Sequence, residues 1–340
     1  MSVETARTQG ASIEGAAYEG ERSNAMSTTE PTIARAPAAA AHHCPVCGET
    51  GRERLYLARD RHYGIPGQWP VARCTGCGLV QLAPMLSNEE LGKLYPTDYY
   101  AFQDIAAKRS TLLGKLKKIF FRSLEVEDPH FDKPGRVLDS GSGSGWALVP
   151  FKERGWECVG IDPSAAAVDF GRKQYGIDLD VGTVQTIQYP DNHFDYIRSN
   201  HSLEHDPDCA DTLREFRRII KPDGKLLIGV PNIESAPARF YGEDWWYLCA
   251  PVHTYNYSRR HLTRLLESAG FEVERVRYCG DWGGVLGSMQ IRLNKADPAM
   301  TADKGFLVNS TPMKVLGQGV SLILNLVGQG DCMEVTARPK

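Results

Sequence analysis

The sequence predicts an α/β protein in which helices cover both faces of a mostly parallel β-sheet. From Gly135 onward, short apolar runs alternate with segments of helical periodicity, and this order is typical of parallel strands joined by crossover helices. The first of these runs leads into the glycine-rich stretch "VLDSGSGSG" at residues 137–145. In such sheets, ligands bind at the carboxyl ends of the strands, so this stretch predicts a ligand site.

The elements of this part follow from apolar patterns bounded by glycine, proline and capping residues. The predicted strands are Arg136–Asp139, Glu157–Asp162, Phe194–Arg198, Gly224–Val230 and Phe271–Tyr278. The predicted helices are Trp146–Arg154, Ser164–Tyr175, Asp208–Ile220 and Ser258–Ala269. Residues 312–328 are predicted as a helical insert, and Cys332–Ala337 as a last strand that pairs antiparallel at the sheet edge.

The chain is expected to have four parts. Residues 1–43 are rich in Ala, Ser, Thr, Glu and Gly and predict a disordered tail. Residues 44–83 contain two C-x-x-C pairs, residues 84–130 predict a helical linker that closes over the ligand site, and residues 131–340 form the α/β domain.

Composition excludes several classes of protein. A formal charge of −3 over 340 residues does not indicate a surface built as a whole for nucleic acid or anionic lipid. No apolar run reaches 18 residues, and the first residues lack a secretory signal. Nine cysteines, five of them scattered singly, do not form a disulfide framework. We therefore expect a cytoplasmic protein.

The glycine run is not a dinucleotide fingerprint, because Trp or Leu stands where G-x-G-x-x-G requires a third small residue. Asp139, two residues before Gly141, suits a cationic ligand better than a pyrophosphate. Asp162 ends the next strand, where a carboxylate can accept both hydroxyls of a ribose. An amino group, a sulfonium and a ribose together indicate S-adenosylmethionine.

Residues 135–279 resemble the Rossmann-like, seven-stranded S-adenosylmethionine-dependent methyltransferases. The resemblance lies in four motifs in order: "VLDSGSGSG", "VGIDPS", "NHFDYIRSNHSLEHDPD" and "EFRRIIKPDGKLLIGVPN". It implies that Asp139 and Gly141 lie near the methionine part and that Asp162 holds the ribose. It further implies that Asn200 to Leu203 flank the sulfur and that backbone groups near Thr183 contact the adenine. The cofactor residues expected on this basis are Asp139, Ser140, Gly141, Gly143, Gly145, Asp162, Pro163, Thr183, Val184, Asn200, His201 and Leu203.

The two cysteine pairs, Cys44/Cys47 and Cys74/Cys77, each precede a glycine and are separated by 26 residues. Four thiolates close a tetrahedral zinc site without an open position, so we expect a structural zinc ion in a zinc-ribbon-like segment. A redox dithiol is the alternative for a single pair. His42, His43 and His62 are substitute ligand candidates, each of which can equally be a solvated loop histidine.

Zinc ribbons often contact nucleic acid, so an RNA methyltransferase is an alternative hypothesis. Residues 44–78 hold five arginines and three acidic residues, a weak electrostatic footprint for RNA. The continuation "CTGCGLVQLAPM…LGKLYPTDYY" instead resembles bacterial methyltransferases of surface-polysaccharide, sugar and secondary-metabolite biosynthesis. This resemblance favours methyl transfer, O-methylation above all, to a small or sugar-containing acceptor. A third hypothesis is a cofactor-binding scaffold protein without turnover.

Methyl transfer to a hydroxyl benefits from a general base. Candidate catalytic residues on the loops after the fourth and fifth strands are His201, Glu204, His205, His253 and Tyr255. His205 can instead be a capping residue at a helix start, and His253 a structural hydrogen-bonding residue. Glu204 and His205 also suggest a divalent-ion site, for which two ligands are too few.

Residues 110–124 predict an amphipathic helix with Lys115, Lys117, Lys118 and Arg122 on its polar face. Such a helix can lie on an anionic membrane, but it more often covers a sheet. For residues 312–328 the sequence leaves the same two alternatives open, contact with a membrane or packing over the sheet.

Overall fold

The computed structural model of the protein describes residues 42–94, 126–296 and 301–340, which all belong to one unit of the chain. Its strands are β1 (Arg52–Ala58), β2 (Trp69–Cys74), β3 (Val80–Leu82), β4 (Arg136–Ser140), β5 (Glu157–Asp162), β6 (Asp178–Val181), β7 (Phe194–Asn200), β8 (Ile220–Pro231), β9 (Tyr255–Asn256), β10 (Phe271–Tyr278) and β11 (Cys332–Pro339).

The α-helices of the described residues are mostly short, and several begin at a serine cap such as Ser87, Ser164 or Ser258. They are α1 (Asn88–Gly92), α2 (Val149–Glu153), α3 (Ala165–Tyr175), α4 (Val184–Ile187), α5 (Cys209–Ile219), α6 (Ala236–Tyr241), α7 (Arg259–Ser268), α8 (Ser288–Leu293), α9 (Phe306–Asn309) and α10 (Thr311–Leu326). A π-helical turn spans Gly283–Gly287, and short 3₁₀ turns include Trp146–Leu148 and Leu203–His205. None of the helices described is long and apolar enough to cross a bilayer.

The large sheet has seven strands in the order β10-β11-β8-β7-β4-β5-β6. All neighbouring pairs are parallel except those that involve β11, which is antiparallel to both β8 and β10. The predicted α/β fold with a seven-stranded, mostly parallel sheet is therefore confirmed.

The last strand and β8 differ most from the predicted strands. The last strand is not at the sheet edge: β11 lies between β8 and β10, and its first four residues are buried. Strand β8 starts at Ile220 rather than Gly224, and its pairing with β7 is irregular where residues 221–224 (Lys, Pro, Asp and Gly) belong to the strand.

Alternate residues of the central strands supply two separate cores, as the pleat of a sheet requires. Leu138 and Ile197 face one core, which includes residues of α5 and α7. Val137 and Tyr196 face the other, which includes residues of α2 and α3. Both faces are thus covered, and the carboxyl ends of the parallel strands form one edge for the site.

The segment with the cysteine pairs forms a second, antiparallel sheet in the order β1-β2-β3-β9. Its last strand, β9, comes from the chain between α6 and α7. A third core joins Val71 and Leu82 of this sheet to Trp245 and Leu248. The cysteine segment is therefore packed onto the loop that precedes β9.

Helix α10 lies where residues 312–328 were predicted as a helical insert, and its buried side is formed by small and polar residues. Gly317, Gln318 and Ser321 are buried, whereas Leu316 and Ile323 are more than 60% exposed. Hydrogen bonds explain this orientation: Trp282 N–H donates to Gln318 Oε1, and the Ser321 hydroxyl donates to the Asp281 carbonyl.

Several predictions concern residues outside the part of the chain described here. The predicted tail lies outside it except for residues 42 and 43, as do residues 95–125 of the linker and the basic helix 110–124.

Candidate functional site

The glycine turn after β4 lies against both neighbouring strand ends. Gly141 has a φ of 75°, and a Cβ placed there would lie 2.2 Å from Ser202 Oγ, on the loop after β7. Only glycine allows this approach at that φ. The N–H groups of Gly141 and Ser142 both donate to the Ile161 carbonyl of β5, at 2.9 and 3.0 Å. The turn is thus held between the ends of β5 and β7.

Asp162 lies at the end of β5, beside this turn. Its Oδ2 accepts the Gly143 N–H at 2.8 Å, and its Oδ1 accepts the Ser164 N–H at 2.9 Å. Burial raises the pKa of Asp162, while the two N–H donors lower it in part. Two carboxylate oxygens can accept about four hydrogen bonds, so this carboxylate can still accept hydroxyl donors.

Asp139, in contrast, is buried beneath the turn. Its Oδ1 lies 3.3 Å from Nε of Arg198, its register partner on β7, and both side chains are about 5% exposed. Burial raises the pKa of Asp139 to about 6, against the lowering effect of Arg198. The carboxylate therefore forms an internal ion pair, which differs from the predicted contact with the methionine part of a cofactor.

The remaining predicted cofactor residues have different surroundings. Those with buried side chains are Ser140, Val184 and Leu203. Pro163 is exposed, and the Thr183 N–H donates to Thr186 Oγ1 at 2.9 Å. Gly145, with a φ of 73°, precedes the 3₁₀ turn Trp146–Leu148. Asn200 is the last residue of β7 and lies beside Gly229 of β8. A Cβ placed at Gly229 would lie 2.1 Å from Oδ1 of Asn200.

His201 and Glu204 form a hydrogen-bonded pair just after β7. His201 Nδ1 lies 3.0 Å from Glu204 Oε1; the histidine side chain is 36% exposed and that of Glu204 fully buried. Burial alone lowers the pKa of His201, but the carboxylate raises it above its ordinary value. Burial raises the pKa of Glu204, yet the hydrogen bond from His201 and the neighbouring histidines lower it to about 2.

The backbone and an aromatic ring fix the position of His201. Its φ is 53°, in the left-handed region, which costs a non-glycine residue about 1–3 kcal/mol and is often found at functional sites. Its N–H donates to the Gly229 carbonyl at 2.8 Å. The Tyr247 ring is nearly parallel to the imidazole, 15° apart with centroids at 6.3 Å. This arrangement presents a partly exposed imidazole at the site edge.

His205 and His253 lie close to Glu204 but are less accessible. Their rings meet edge to face with centroids 4.6 Å apart. His205 Nδ1 lies 3.0 Å from the Val252 carbonyl, and His253 Nδ1 lies 2.8 Å from the Tyr247 carbonyl. Burial lowers the pKa of both, that of His253 to about 3 with a further contribution from His205. Both rings are therefore neutral near pH 7.

Tyr255 does not join this group. It is fully buried in the small sheet, where its hydroxyl donates to the Pro207 carbonyl at 3.2 Å and lies 2.7 Å from His42 Nε2. The hydroxyl thus connects the loop after β7 to the cysteine segment. These contacts support a structural role rather than the predicted catalytic one.

The four predicted metal-ligating cysteines lie together. Sγ of Cys44 is 3.6 Å from Sγ of Cys77, the same distance separates Cys47 from Cys74, and all four sulfur atoms lie within 4.8 Å of one another. Zinc–sulfur bonds of about 2.3 Å in a tetrahedron place sulfur atoms about 3.8 Å apart. The four thiols therefore fit a zinc ion.

Comparison with known proteins assigns this chain to a family. Residues 106–276 match a family model described as "Methyltransferase domain". The chain belongs to this methyltransferase-domain family.

Methyltransferases are also among its individual relatives. A probable S-adenosylmethionine-dependent methyltransferase of Mycolicibacterium smegmatis is 31% identical over 140 residues, which cover 41% of this chain and 52% of that protein. The chain thus spans about half the length of that relative. A ubiquinone biosynthesis O-methyltransferase of Coxiella burnetii is 26% identical over 204 residues, 55% of this chain and 83% of that protein.

A solved structure from Thermotoga maritima, described as a SAM-dependent methyltransferase and possible histamine N-methyltransferase, is 19% identical. The superposition covers 71% of this chain and 98% of the Thermotoga maritima chain, with a TM-score of 0.45.

For this member of the methyltransferase-domain family, sequence reasoning missed two relationships. Arg198 was not expected to neutralise Asp139, since nothing local in the sequence joins a strand arginine to an acid 59 residues earlier. The pairing of His201 with Glu204 was also missed, although their spacing of three residues is a signal that could have revealed it.

Proposed function

We propose that this chain transfers a methyl group from S-adenosylmethionine to a hydroxyl oxygen of a small or sugar-containing acceptor, in the synthesis of a surface glycan or secondary metabolite. The observation that carries O-methylation is the hydrogen bond of 3.0 Å between His201 Nδ1 and Glu204 Oε1. A partly exposed histidine oriented by a buried carboxylate is a typical general base. Family membership supports methyl transfer.

The chain's own residues supply binding and proton transfer. The glycine turn and Asp162 would hold the donor, with the carboxylate on its ribose hydroxyls. The bound donor supplies a methyl group on a positively charged sulfur, which leaves as a neutral thioether with the electron pair of the broken bond. His201 Nε2 takes the acceptor's hydroxyl proton as oxygen bonds to the methyl carbon. Glu204 positions His201 and stabilises the imidazolium.

Two further observations support a small hydroxylic acceptor. Tyr247 and Trp246, both half-buried, lie on the loop beside His201, and aromatic faces suit sugars and flat rings. One relative is a ubiquinone biosynthesis O-methyltransferase. Of the alternatives, RNA methylation is less favoured, because the cysteine segment packs its buried faces against the rest of the unit.

We further propose that the four cysteines bind one structural zinc ion. The Cys77 carbonyl accepts Arg260 Nη2 at 2.7 Å and His261 Nε2 at 3.0 Å. Both donors belong to the first turn of α7. A zinc ion there would fix the start of α7, and with it the loop before β9 that carries His253.

The experiment begins with binding. Calorimetric titration with S-adenosylhomocysteine, with NADH as control, should show binding of the former alone. Isotopically labelled donor is then offered to a panel of sugar and phenolic hydroxyl acceptors and, separately, to RNA. Methyl ethers on a small acceptor support the proposal. Methylation of RNA alone, or cofactor binding without any methyl transfer across the panel, overturns it in favour of the RNA or scaffold hypothesis.

A further inference from the structure

Helix α10 turns an apolar stripe away from the rest of the chain. The exposed side chains recur every three or four residues, a spacing that places them along one side of a helix. The six large apolar residues of this stripe, the last of them directly after the helix, are 39–87% exposed: Val315, Leu316, Val320, Ile323, Leu326 and Val327. They make up half of the exposed large apolar side chains in the described part of the chain. Apolar residues scattered singly over a surface need no explanation, but a concentrated patch marks an interaction site.

Polar contacts on the opposite side of α10 hold the stripe outward. The side chains of Gln318, Ser321 and Asn325 form hydrogen bonds of 2.7–3.3 Å with the backbone of residues 280–282, just after β10. A Cβ placed at Gly317 would lie 2.7 Å from a leucine side chain of the π-helical turn, so this side of the helix fits closely. Rotation of α10 to bury the apolar stripe would break these bonds, and the stripe therefore stays exposed in a single chain.

The stripe is large enough for an interface between proteins. Scaled by their exposed fractions, the six side chains present roughly 500 Å² of apolar surface, at the upper end of what monomeric proteins show. Two such stripes placed against each other would bury roughly 1,000 Å², the area that a biological interface is expected to reach.

The chemistry of the stripe suits a second copy of the same chain. In a two-fold pair one patch meets itself, so the patch has to be self-complementary, and an uncharged stripe meets this requirement. The only charged residue of α10 is Lys314, whose Nζ lies 4.7 Å from the centre of the Trp282 ring on the buried side. Side chains spaced by three and four residues interlock between paired helices. At Gly319 no atom lies within 4 Å of an added Cβ, which leaves room for close approach.

A lipid surface is a less suitable partner for this stripe. Helices that lie on membranes typically carry lysine and arginine on their polar face, where these residues bind anionic headgroups. The polar face of α10 is instead turned into the protein and holds Gly317, Gln318 and Ser321. The formal charge of the whole chain is −3, which does not favour an anionic membrane either.

We propose that two copies of this chain pair through α10, with the apolar stripe of each copy covering that of the other. The proposal does not rest on methyl transfer, because it follows from the exposed stripe alone. The interface would nevertheless be connected to the proposed site. Ser321 of α10 binds the Asp281 carbonyl, and Asp281 Oδ1 accepts the hydroxyl of Tyr247 at 3.0 Å. The Tyr247 ring lies beside His201, so pairing through α10 would support the loop that borders the proposed base.

The test is sedimentation equilibrium of the full-length chain over a range of protein concentrations. We expect twice the mass of one chain. Ile323→Lys would place two ammonium groups in the interface and should weaken the dimer at least about 100-fold, because like charges brought together across an interface oppose association strongly. Leu316→Lys is a second variant with the same expected result. Both positions are exposed in the single chain, so circular dichroism should show that both variants fold.

The matched control is Leu57→Lys, since Leu57 is an exposed apolar residue on β1, outside the stripe; this variant should remain a dimer. A chain that is monomeric at every concentration overturns the proposal. Sedimentation with phosphatidylglycerol and phosphatidylcholine vesicles then distinguishes a lipid surface from a stripe covered by the chain itself. A dimer that is equally stable in Ile323→Lys, Leu316→Lys and the unaltered chain also overturns the proposal, because its interface lies elsewhere.

Discussion

The Gly143 N–H donates to Oδ2 of Asp162 at 2.8 Å and so ties the glycine turn after β4 to the end of β5. Asp162 therefore has two tasks: it holds the turn in shape, and its free lone pairs face the edge where parallel strands end. Asp139, the other acid of these motifs, is in a different position, because it is buried and paired with Arg198.

Asp162→Asn should lower the affinity for S-adenosylhomocysteine about 10- to 100-fold. Hydrogen bonds to a charged group contribute about 1.5–3 kcal/mol each, and the amide removes that charge at the ribose position. Calorimetric titration measures the change. Asp169→Asn, on the exposed side of α3, is the control. An affinity in Asp162→Asn equal to that of the control would remove this residue from the cofactor site.

Asp139→Asn should act on stability rather than on binding. Breaking a buried ion pair leaves Arg198 without its nearest charge partner and typically costs about 3–5 kcal/mol. Urea unfolding should show this loss, while the affinity of the folded variant for S-adenosylhomocysteine stays within a few-fold. A stable variant that has lost cofactor binding would show instead that Asp139 contacts the methionine part, as the family resemblance implies.

His201→Asn should reduce kcat about 10²- to 10⁴-fold, the usual contribution of a general base. Affinity for S-adenosylhomocysteine and KM for the acceptor should change little, because asparagine keeps a polar side chain at the site edge. The methyl ether formed per unit time on the identified acceptor is the measurement, with His130→Asn as control. Unchanged kcat would exclude His201 as the base.

Cys47→Ser should remove the tightly bound zinc ion and lower the thermal unfolding temperature, because structural zinc sites contribute directly to folding energy. Cys47 is the exposed member of the four, so the substitution itself leaves little buried volume unfilled. Cys158→Ser, outside the cluster, should keep both the zinc and the unfolding temperature. Zinc retained in Cys47→Ser would contradict a four-thiolate site.

Asp331→Asn should become relatively more stable than the unaltered chain as pH rises. Asp331 is buried, and its Oδ1 accepts Trp245 Nε1 at 2.7 Å and the Ser235 hydroxyl at 3.0 Å. Burial raises the pKa of Asp331 to about 7, with these donors lowering it in part. Because the folded chain binds this proton more tightly than the unfolded chain, the protonated carboxyl group stabilises the fold. This stabilisation is fully present below the ordinary pKa near 4 and is lost as the pH rises through 7.

The amide of Asp331→Asn does not ionise, so the difference in unfolding free energy between the two chains should change by about 2–3 kcal/mol between pH 5 and pH 8. Urea unfolding at the two pH values measures it. Ser235→Ala is the control, since it removes one donor and keeps the carboxyl group. Parallel pH dependence of Asp331→Asn and the unaltered chain would show that Asp331 is ionised without penalty.

Local patterns predicted much of the fold. Strand β5 and helix α3 lie within one residue of their predicted bounds, because apolar periodicity and the Ser164 cap act over a few neighbouring residues. The position of β11 was not predictable in the same way. Its apolar residues fit a strand, but which strands it pairs with depends on how the insert before it folds back onto the sheet.

By itself, the sequence determined the α/β class, the glycine turn, the acid at the end of β5 and the two cysteine pairs. Each of these depends on backbone freedom, capping or ligand spacing within a short stretch. Only the tertiary structure decided that Arg198 neutralises Asp139, that Tyr255 binds the cysteine segment to the core, and that His253 lies with Glu204 and His205. These relationships join residues from 48 to 213 positions apart, and burial and charge pairing between distant segments arise only when the strands have assembled.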